Sequence, residues 1–447
     1  MSWRKKCQSS FNGYPIELPA LVSRPENYAK LKPNQIISIT RGFGGSYGDA
    51  ALNAQGEIIL TNRLDRFLEF DVDKGILSVE SGISLAKILE VIVKQGWFLP
   101  VMPGTAQVSL GGCIATDIHG KNHCLAGSLG QHVLSLQLIT ANGTKINCSP
   151  KVIPELFWAT VGGMGLTGII GVVTLQLKRI ETAYMKVQYQ VENNLKQIIE
   201  ALLKGDNELE YSVAWLDVLN KPVSHGVIMK AKHASLLDLP ISQQKQPFFV
   251  QKYSSLKYPN LVSWCFLNSK MVKIFNKIYY YYLAKKNQVL QPYQNYFFPL
   301  DRIRNWSRLY GKKGFIQYQC AIPTEFAYSA IEEILETVHK YKHPIFLAVL
   351  KRFGEENLAP LSFPLSGITL ALDLPIFNDK LFNCLDILDE IVIRAGGRIY
   401  LAKDARLKPE AFQKMYKRYL EWLAVKQHWD PENRFSSSLS RRLKLGF

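Results

Sequence analysis

Pro103–Gly130 reads PGTAQVSLGGCIATDIHGKNHCLAGSLG. Glycine and other small residues fill it, and bulky apolar side chains are nearly missing. An ordered chain must recover its lost conformational entropy through packing. So long a stretch with so little to pack has a reason to exist where a large ligand supplies the missing surface. His119 and Lys121 lie inside it. A lone histidine is more often a hydrogen-bonded structural residue, but one set between glycine-rich turns reads as part of a site.

Two further glycine segments lie on either side. Arg41–Asp49, RGFGGSYGD, directly follows the strand-like Gln35–Thr40, QIISIT. Glycines without Cβ let successive backbone N–H groups converge on a phosphate, although the same pattern also suits a tight structural turn. Gly162–Gly171, GGMGLTGIIG, contains G-x-G-x-x-G from Gly163 to Gly168. The dinucleotide fingerprint must open a helix, yet the IIGVVTLQL that follows is β-branched and strand-like. Rossmann-type NAD binding is excluded, and no G-x-x-x-x-G-K-[ST] occurs.

The 447 residues, 47% of them hydrophobic, predict two or three domains with a sizeable core and exclude disorder. A net charge of +17 favours an anionic partner: nucleic acid, an anionic membrane face, or a phosphorylated substrate or cofactor. Seven scattered cysteines without a C-x-x-C pair read as reduced thiols in a cytosolic protein, with no disulfide or metal framework. The N-terminus lacks the apolar stretch of a secretory signal, and no apolar run approaches the ~18–20 residues that cross a bilayer. The expectation is a cytoplasmic protein, peripheral at most on the inner face of the membrane.

Residues 1–180 read as short strands. Gly56–Leu60 is one; Phe67–Asp71 and Ile76–Glu80 form a hairpin about Asp73-Lys74-Gly75. Ile83–Gln95 has helical spacing and stops at Gly96. A second hairpin, Leu134–Thr140 with Thr144–Cys148, precedes the strand Gly168–Leu177. From about Ala183 strands alternate with amphipathic helices, through the strands Gly314–Ile322, Ile345–Leu350 and Gly367–Leu372 and the helices Glu325–Tyr341 and Leu381–Ala395. Arg398–Asp404 reads as a strand and Pro409–Gln427 as one amphipathic helix. This is α+β grammar with an antiparallel sheet. Tyr258–Gly311 stands apart. It reads either as a partly ordered surface excursion or as a basic, aromatic face for a membrane. In the second reading Lys270, Lys273, Lys277, Lys285 and Lys286 surround Phe275, Ile278 and Tyr279–Tyr282.

The three glycine segments, in this order, resemble the vanillyl-alcohol-oxidase/p-cresol-methylhydroxylase (PCMH) type of FAD-binding domain. The resemblance extends to the flavoprotein subunits of decaprenylphosphoryl-β-D-ribose 2′-epimerases. It is carried by SYGD, MPGT, GGCIATDIHGKNH, AGSLG, ELFWATVGGMGLTGI, QYQ, LKRFG, APLSFP and GGRIYLAKDAR. It implies a two-subdomain FAD-binding domain over 1–180, a substrate-binding domain over 181–395, and a C-terminal segment, 396–447, returning to the FAD site. By the same resemblance Thr40, Arg41, Gly42, Phe43, Gly44, Gly45, Ser46, Tyr47, Gly48, Asp49 and Ala50 would wrap the FAD pyrophosphate. Gly104, Ser109, Leu110, Gly111 and Gly112 would join them. Thr116, Asp117, Ile118, His119, Ile170 and Tyr400 would complete the cofactor site.

RGFGGSYGD offers neither His nor Cys for covalent attachment, so the FAD is expected to be noncovalent. Lys403 matches the family's active-site lysine, where a cation would stabilise negative charge on the reduced flavin; it and His119 are the candidate catalytic residues. Tyr47, Lys121, Gln319 and Lys351, with Lys403, are the candidate substrate contacts. Where close members of the family carry an inhibitor-reactive cysteine, this chain has Ala371.

The resemblance implies oxidation of a sugar hydroxyl, the 2′-OH of a polyprenyl-phosphoryl ribofuranose or a similar sugar, to a keto sugar. A short-chain dehydrogenase/reductase partner would then complete an epimerisation. An aldonolactone or alditol oxidase shares the same FAD domain. A basic nucleic-acid-binding protein is the reading from another class, and it predicts no yellow chromophore and salt-sensitive DNA binding.

Overall fold

The computed structural model describes residues 7–31, 33, 36–205, 208–219, 225–250, 256–257 and 269–446. In its N-terminal part, turn chemistry fixes the strands. Asp71 caps the first hairpin: its carboxylate accepts the N–H groups of Asp73 and Lys74, and Gly75 takes a left-handed φ of 68°. The strands Phe67–Asp71 and Ile76–Glu80 thereby join a five-stranded antiparallel sheet with Ile169–Gln176, Val133–Ile139 and Lys145–Cys148. Gly168 thus leads into a strand. Ser84 caps the helix Leu85–Ile92 by accepting from Lys87 N–H, and Leu85, Ile88, Leu89 and Ile92 turn into the core beneath the sheet. A three-stranded parallel sheet (Leu21–Ser23, Glu57–Leu60, Ser38–Arg41) sits before this unit and delivers the chain into the first glycine loop.

The second part is built on an eight-stranded antiparallel sheet. Its order is Gln288–Pro292, Tyr184–Glu192, His225–His233, Tyr211–Asp217, Leu347–Phe353, Gly367–Pro375, Phe315–Pro323 and Arg398–Ile399. The period of two divides its residues cleanly. Ile316, Tyr318, Cys320, Leu350, Leu370 and Leu372 bury against the helices Leu195–Lys204, Ala327–Lys340 and Lys380–Arg394. The alternate residues Gln317, Gln319, Leu347, Val349, Lys351 and Ala371 face the first part of the chain. The α+β architecture expected from the sequence is the one observed.

Three expectations need correction. Arg398–Asp404 is a strand only over Arg398–Ile399, after which the chain turns, because Tyr400 N–H bonds Gln319 O and Lys403 N–H bonds Tyr400 O. Pro409–Gln427 is two helices, Pro409–Met415 and Tyr419–Trp429. Tyr416 breaks them, its ring stacked on Phe412 and its hydroxyl donating to Ile399 O at 2.7 Å. Finally, the described part of Tyr258–Gly311, from Ser269 on, is not a partly ordered excursion. Residues 258–268 lie outside the described residues, but Ser269–Ala284 is a helix and Gln288–Pro292 is the sheet's edge strand. Tyr293, Tyr296, Phe297 and Phe298 behind them are buried in the core. Their large apolar area anchors the segment.

Candidate active site

Between the glycine loops and the exposed face of the large sheet lies a cavity of about 680 Å³. Thr40, Gly42–Tyr47 and Ala50 form one wall; Gly104, Ser109, Gly111, Gly112, Thr116, Ile118, His119 and Ile170 form the next. The sheet contributes the six residues named above, and the turn after its last strand adds Tyr400, Ala402 and Lys403. Most of the sequence-predicted residues therefore converge.

The first loop is built to hold an anion. None of the backbone N–H groups of Gly42, Phe43, Gly44, Gly45 and Ser46 has a protein acceptor among the described residues. Gly44 adopts φ 70°, and a Cβ there would collide with the Arg41 guanidinium. That guanidinium is turned away from the cavity and ties the loop down, donating to Ser9 O at 2.7 Å and Ala51 O at 3.3 Å. In the second loop Gly104 faces open space, since a Cβ there would meet nothing within 4 Å. Ser109 Oγ accepts Gly112 N–H at 3.3 Å, and Tyr400 Oη donates to Thr116 O at 2.9 Å.

Five predicted residues besides Arg41 do not line the cavity. Gly48 is pressed against Asp404 O, where any Cβ would clash. Asp49 receives two hydrogen bonds from Arg442, at 2.9 and 2.7 Å, and Leu110 is fully buried core. Asp117 is a buried fastener, accepting from Ser128 Oγ, Gly130 N–H, Asn357 Nδ2 and Ser362 Oγ at 2.5–3.0 Å. Lys121 has left the site: its ammonium sits 3.9 Å from the Tyr296 ring centroid and lines a separate cavity.

The sheet-side wall carries the charge. Lys403 Nζ stands 3.4 Å from the centroid of the Tyr47 ring. Lys403 keeps slight exposure to the cavity but is otherwise ringed by protein. Burial lowers its pKa to about 7, with Asp373 opposing the fall and Lys351 adding to it. Lys351 is lowered by burial to about 8. Asp373, raised by burial to about 6, accepts from Gln317 Nε2 at 2.6 Å and Tyr310 Oη at 2.8 Å.

Gln319 Nε2 lies 3.0 Å from His119 Nε2 and donates to Thr369 Oγ1 at 3.2 Å. Burial, with Lys351 nearby, holds His119 well below its usual pKa, so the imidazole is neutral. Its Nδ1 has no hydrogen-bond partner among the described residues. Phe11, Asn305, Trp306, Gln317 and Asp373 are site residues that the sequence reading missed. Gln317 and Asp373 were within reach, each two residues along a strand from a recognised position, Gln319 and Ala371. Phe11 and Trp306 carry no such signal; they meet only in three dimensions, rings 5.5 Å apart.

The comparisons with known proteins agree with this geometry. Residues 29–149 match the family model of the FAD binding domain, and residues 222–443 match that of D-arabinono-1,4-lactone oxidase. The 6-hydroxy-D-nicotine oxidase of Arthrobacter nicotinovorans superposes with a TM-score of 0.67 at 17% identity, covering 97% of this chain and 96% of that one. Open N–H groups for a pyrophosphate and a long cavity leading to a lysine-bearing wall fit FAD. The protein is an FAD-dependent oxidoreductase acting on CH–OH groups.

Decaprenylphosphoryl-β-D-ribose oxidase of Mycolicibacterium smegmatis is 38% identical over 411 residues, 91% of this chain and 89% of that protein. L-gulonolactone oxidase of Bos taurus is 25% identical over 88% of this chain and 86% of its own length. The chain belongs to the decaprenylphosphoryl-β-D-ribose oxidase family, and the lactone oxidases stand further off.

Proposed function

We propose that the protein oxidises the 2′-hydroxyl of a polyprenyl-phosphoryl ribofuranose to a ketone, the first half of an epimerisation. The observation that carries this reading is the meeting, in one cavity, of the open N–H loop with Lys403, Lys351, Gln317 and Gln319. Bound FAD supplies the hydride acceptor. Lys403 and Lys351 hold positive charge in a desolvated place, where it stabilises negative charge developing during reaction far more than it would in water. With a pKa near 7, Lys403 can also hold or release a proton at Nζ in the neutral range. Two glutamine amides are fixed from behind, Gln317 by Asp373 and Gln319 by His119 and Thr369, and so orient sugar hydroxyls. Phe11, Tyr47 and Trp306 keep water from the far wall.

The ketone would pass to a short-chain dehydrogenase/reductase. A peripheral contact with the inner face of the membrane would suit a lipid-linked substrate, and the helix Ser269–Ala284 supports that part of the proposal. Met271, Ile274, Phe275, Ile278, Tyr281 and Tyr282 are 51–64% exposed along one outward stripe. Lys273 and Lys277 flank it. The inward Leu283 belongs to a buried cluster with Trp215 and Val227, against which the cavity residue Leu347 packs. The test is anaerobic mixing of the purified holoenzyme with a polyprenyl-phosphoryl ribose. Bleaching of the flavin absorbance is expected; bleaching by L-gulono-1,4-lactone and not by the lipid sugar would overturn the reading.

A further inference from the structure

The opposite face of the large sheet holds a second cavity, of about 160 Å³. Lys121, Lys230, Arg352, Ser212 and Glu210 line it, and the helix Leu195–Lys204 closes it from below. Ser212 and Lys230 are directly paired across the strands, so the hydroxyl and the ammonium stem project from adjacent positions on one face. Arg352 follows Lys351 by one residue. The strand period therefore turns its guanidinium to this cavity while Lys351 faces the other.

The charges do not balance. Glu210 is the cavity's one acidic residue among the described residues, and it is already engaged by Lys178 in an ion pair and by Asn122 Nδ2 at 3.2 Å. Lys121 donates to Tyr296 O. Neither Lys230 nor Arg352 has an acidic partner among the described residues. Cations gathered in a confined, partly desolvated space without counter-charge are unfavourable unless an anion joins them. The volume admits a small tetrahedral oxyanion, which needs roughly the space of two or three waters. It is too small for a nucleotide. A guanidinium grips two oxygens of such a group at once, and a hydroxyl and an ammonium complete the set.

We propose that Arg352, Lys230 and Ser212 form a binding site for a phosphate group, separate from the flavin cavity. The phosphate is either the free ion or the terminus of a small phosphomonoester. Lys121 links the site to the loop that carries His119, two residues away.

Inorganic phosphate is titrated calorimetrically into the holoenzyme at constant ionic strength, with chloride as the balancing ion, and glycerol 3-phosphate is titrated in parallel. Saturable one-to-one binding is expected. Arg352→Gln and Lys230→Gln should each weaken it at least tenfold while the flavin spectrum stays unchanged, and Arg352→Lys should restore part of it. Tighter binding of the monoester would identify an ester terminus as the natural occupant; tighter binding of phosphate would identify the free ion. No saturable binding of either, or binding by either glutamine variant as tight as the parent's, overturns the proposal. Flavin reduction by the lipid sugar is a separate readout, so the two readings fail independently.

Discussion

Replacing Lys403 by methionine separates the cost of this lysine from its use. Its pKa falls from an ordinary 10.5 to about 7, equivalent to about 5 kcal/mol of unfavourable surroundings for the cation. Methionine removes that penalty but loses the contact with the Tyr47 ring, worth about 2 kcal/mol when desolvated. The balance is a holoenzyme more stable by about 3 kcal/mol at pH 6, or roughly 3 °C in a chain this long. The sign of the pH dependence follows from proton counting. Between about 7 and 10.5 the unfolded chain binds the proton that the folded one has released, so wild-type stability rises with pH through that window. The variant's advantage is therefore full below about 7 and fades toward 10.5. Loss of one well-placed electrostatic partner should slow flavin reduction by ~10²–10³, or about 3–4 kcal/mol of barrier, with FAD still bound. Stopped-flow absorbance under anaerobic conditions and calorimetry at pH 6 and 9 measure the two effects. Near-normal reduction would refute the charge-stabilising role, and a less stable variant at pH 6 would refute the bookkeeping of burial.

Arg442→Gln should cost about 3–5 kcal/mol of stability, because it leaves the buried carboxylates of Asp49 and Asp404 without their shared cation. Thermal unfolding measures the loss, and the FAD dissociation constant should rise with it. The flavin should be released into the supernatant on acid precipitation. The first glycine loop holds no His or Cys, and burial keeps the nearby Cys113 thiol protonated; yellow colour in the pellet would contradict this. Serine at Ile274, Phe275 and Ile278 together should abolish salt-sensitive binding to anionic liposomes in a flotation assay and leave the flavin spectrum unchanged. Equal flotation of parent and variant would make that helix an ordinary surface.

The glycine loops and the strands of the large sheet were legible because their signals are local. A run of small residues shows its missing packing in the sequence itself, and a period of two shows which residues share a face. Gln319 and Lys351 are assigned to the site by family resemblance alone; that they share a face with Ala371 follows from the pairing of their three strands. What stayed hidden depends on tertiary packing. Lys121 is only two residues from His119, yet Tyr296, far along the chain, draws it to another cavity. The break at Tyr416 answers to Ile399 O, an acceptor supplied by the sheet. Asp49 sits within a motif that reads as cofactor-binding, but its partner is Arg442, almost at the other end of the sequence.

That last pairing has a bearing on biosynthesis. Asp49 and Arg442 are 393 residues apart. At roughly 5–20 residues per second, the ribosome makes the second partner about 20–80 seconds after the first. Throughout that interval the glycine loop is held by Arg41, through Ser9 O and Ala51 O, and for most of it the turn that presents Lys403 does not yet exist. Completion of the cofactor cavity therefore waits on a part of the chain made long after its first wall, and removing Arg442 would loosen that wall while leaving the strands of the five- and eight-stranded sheets in place.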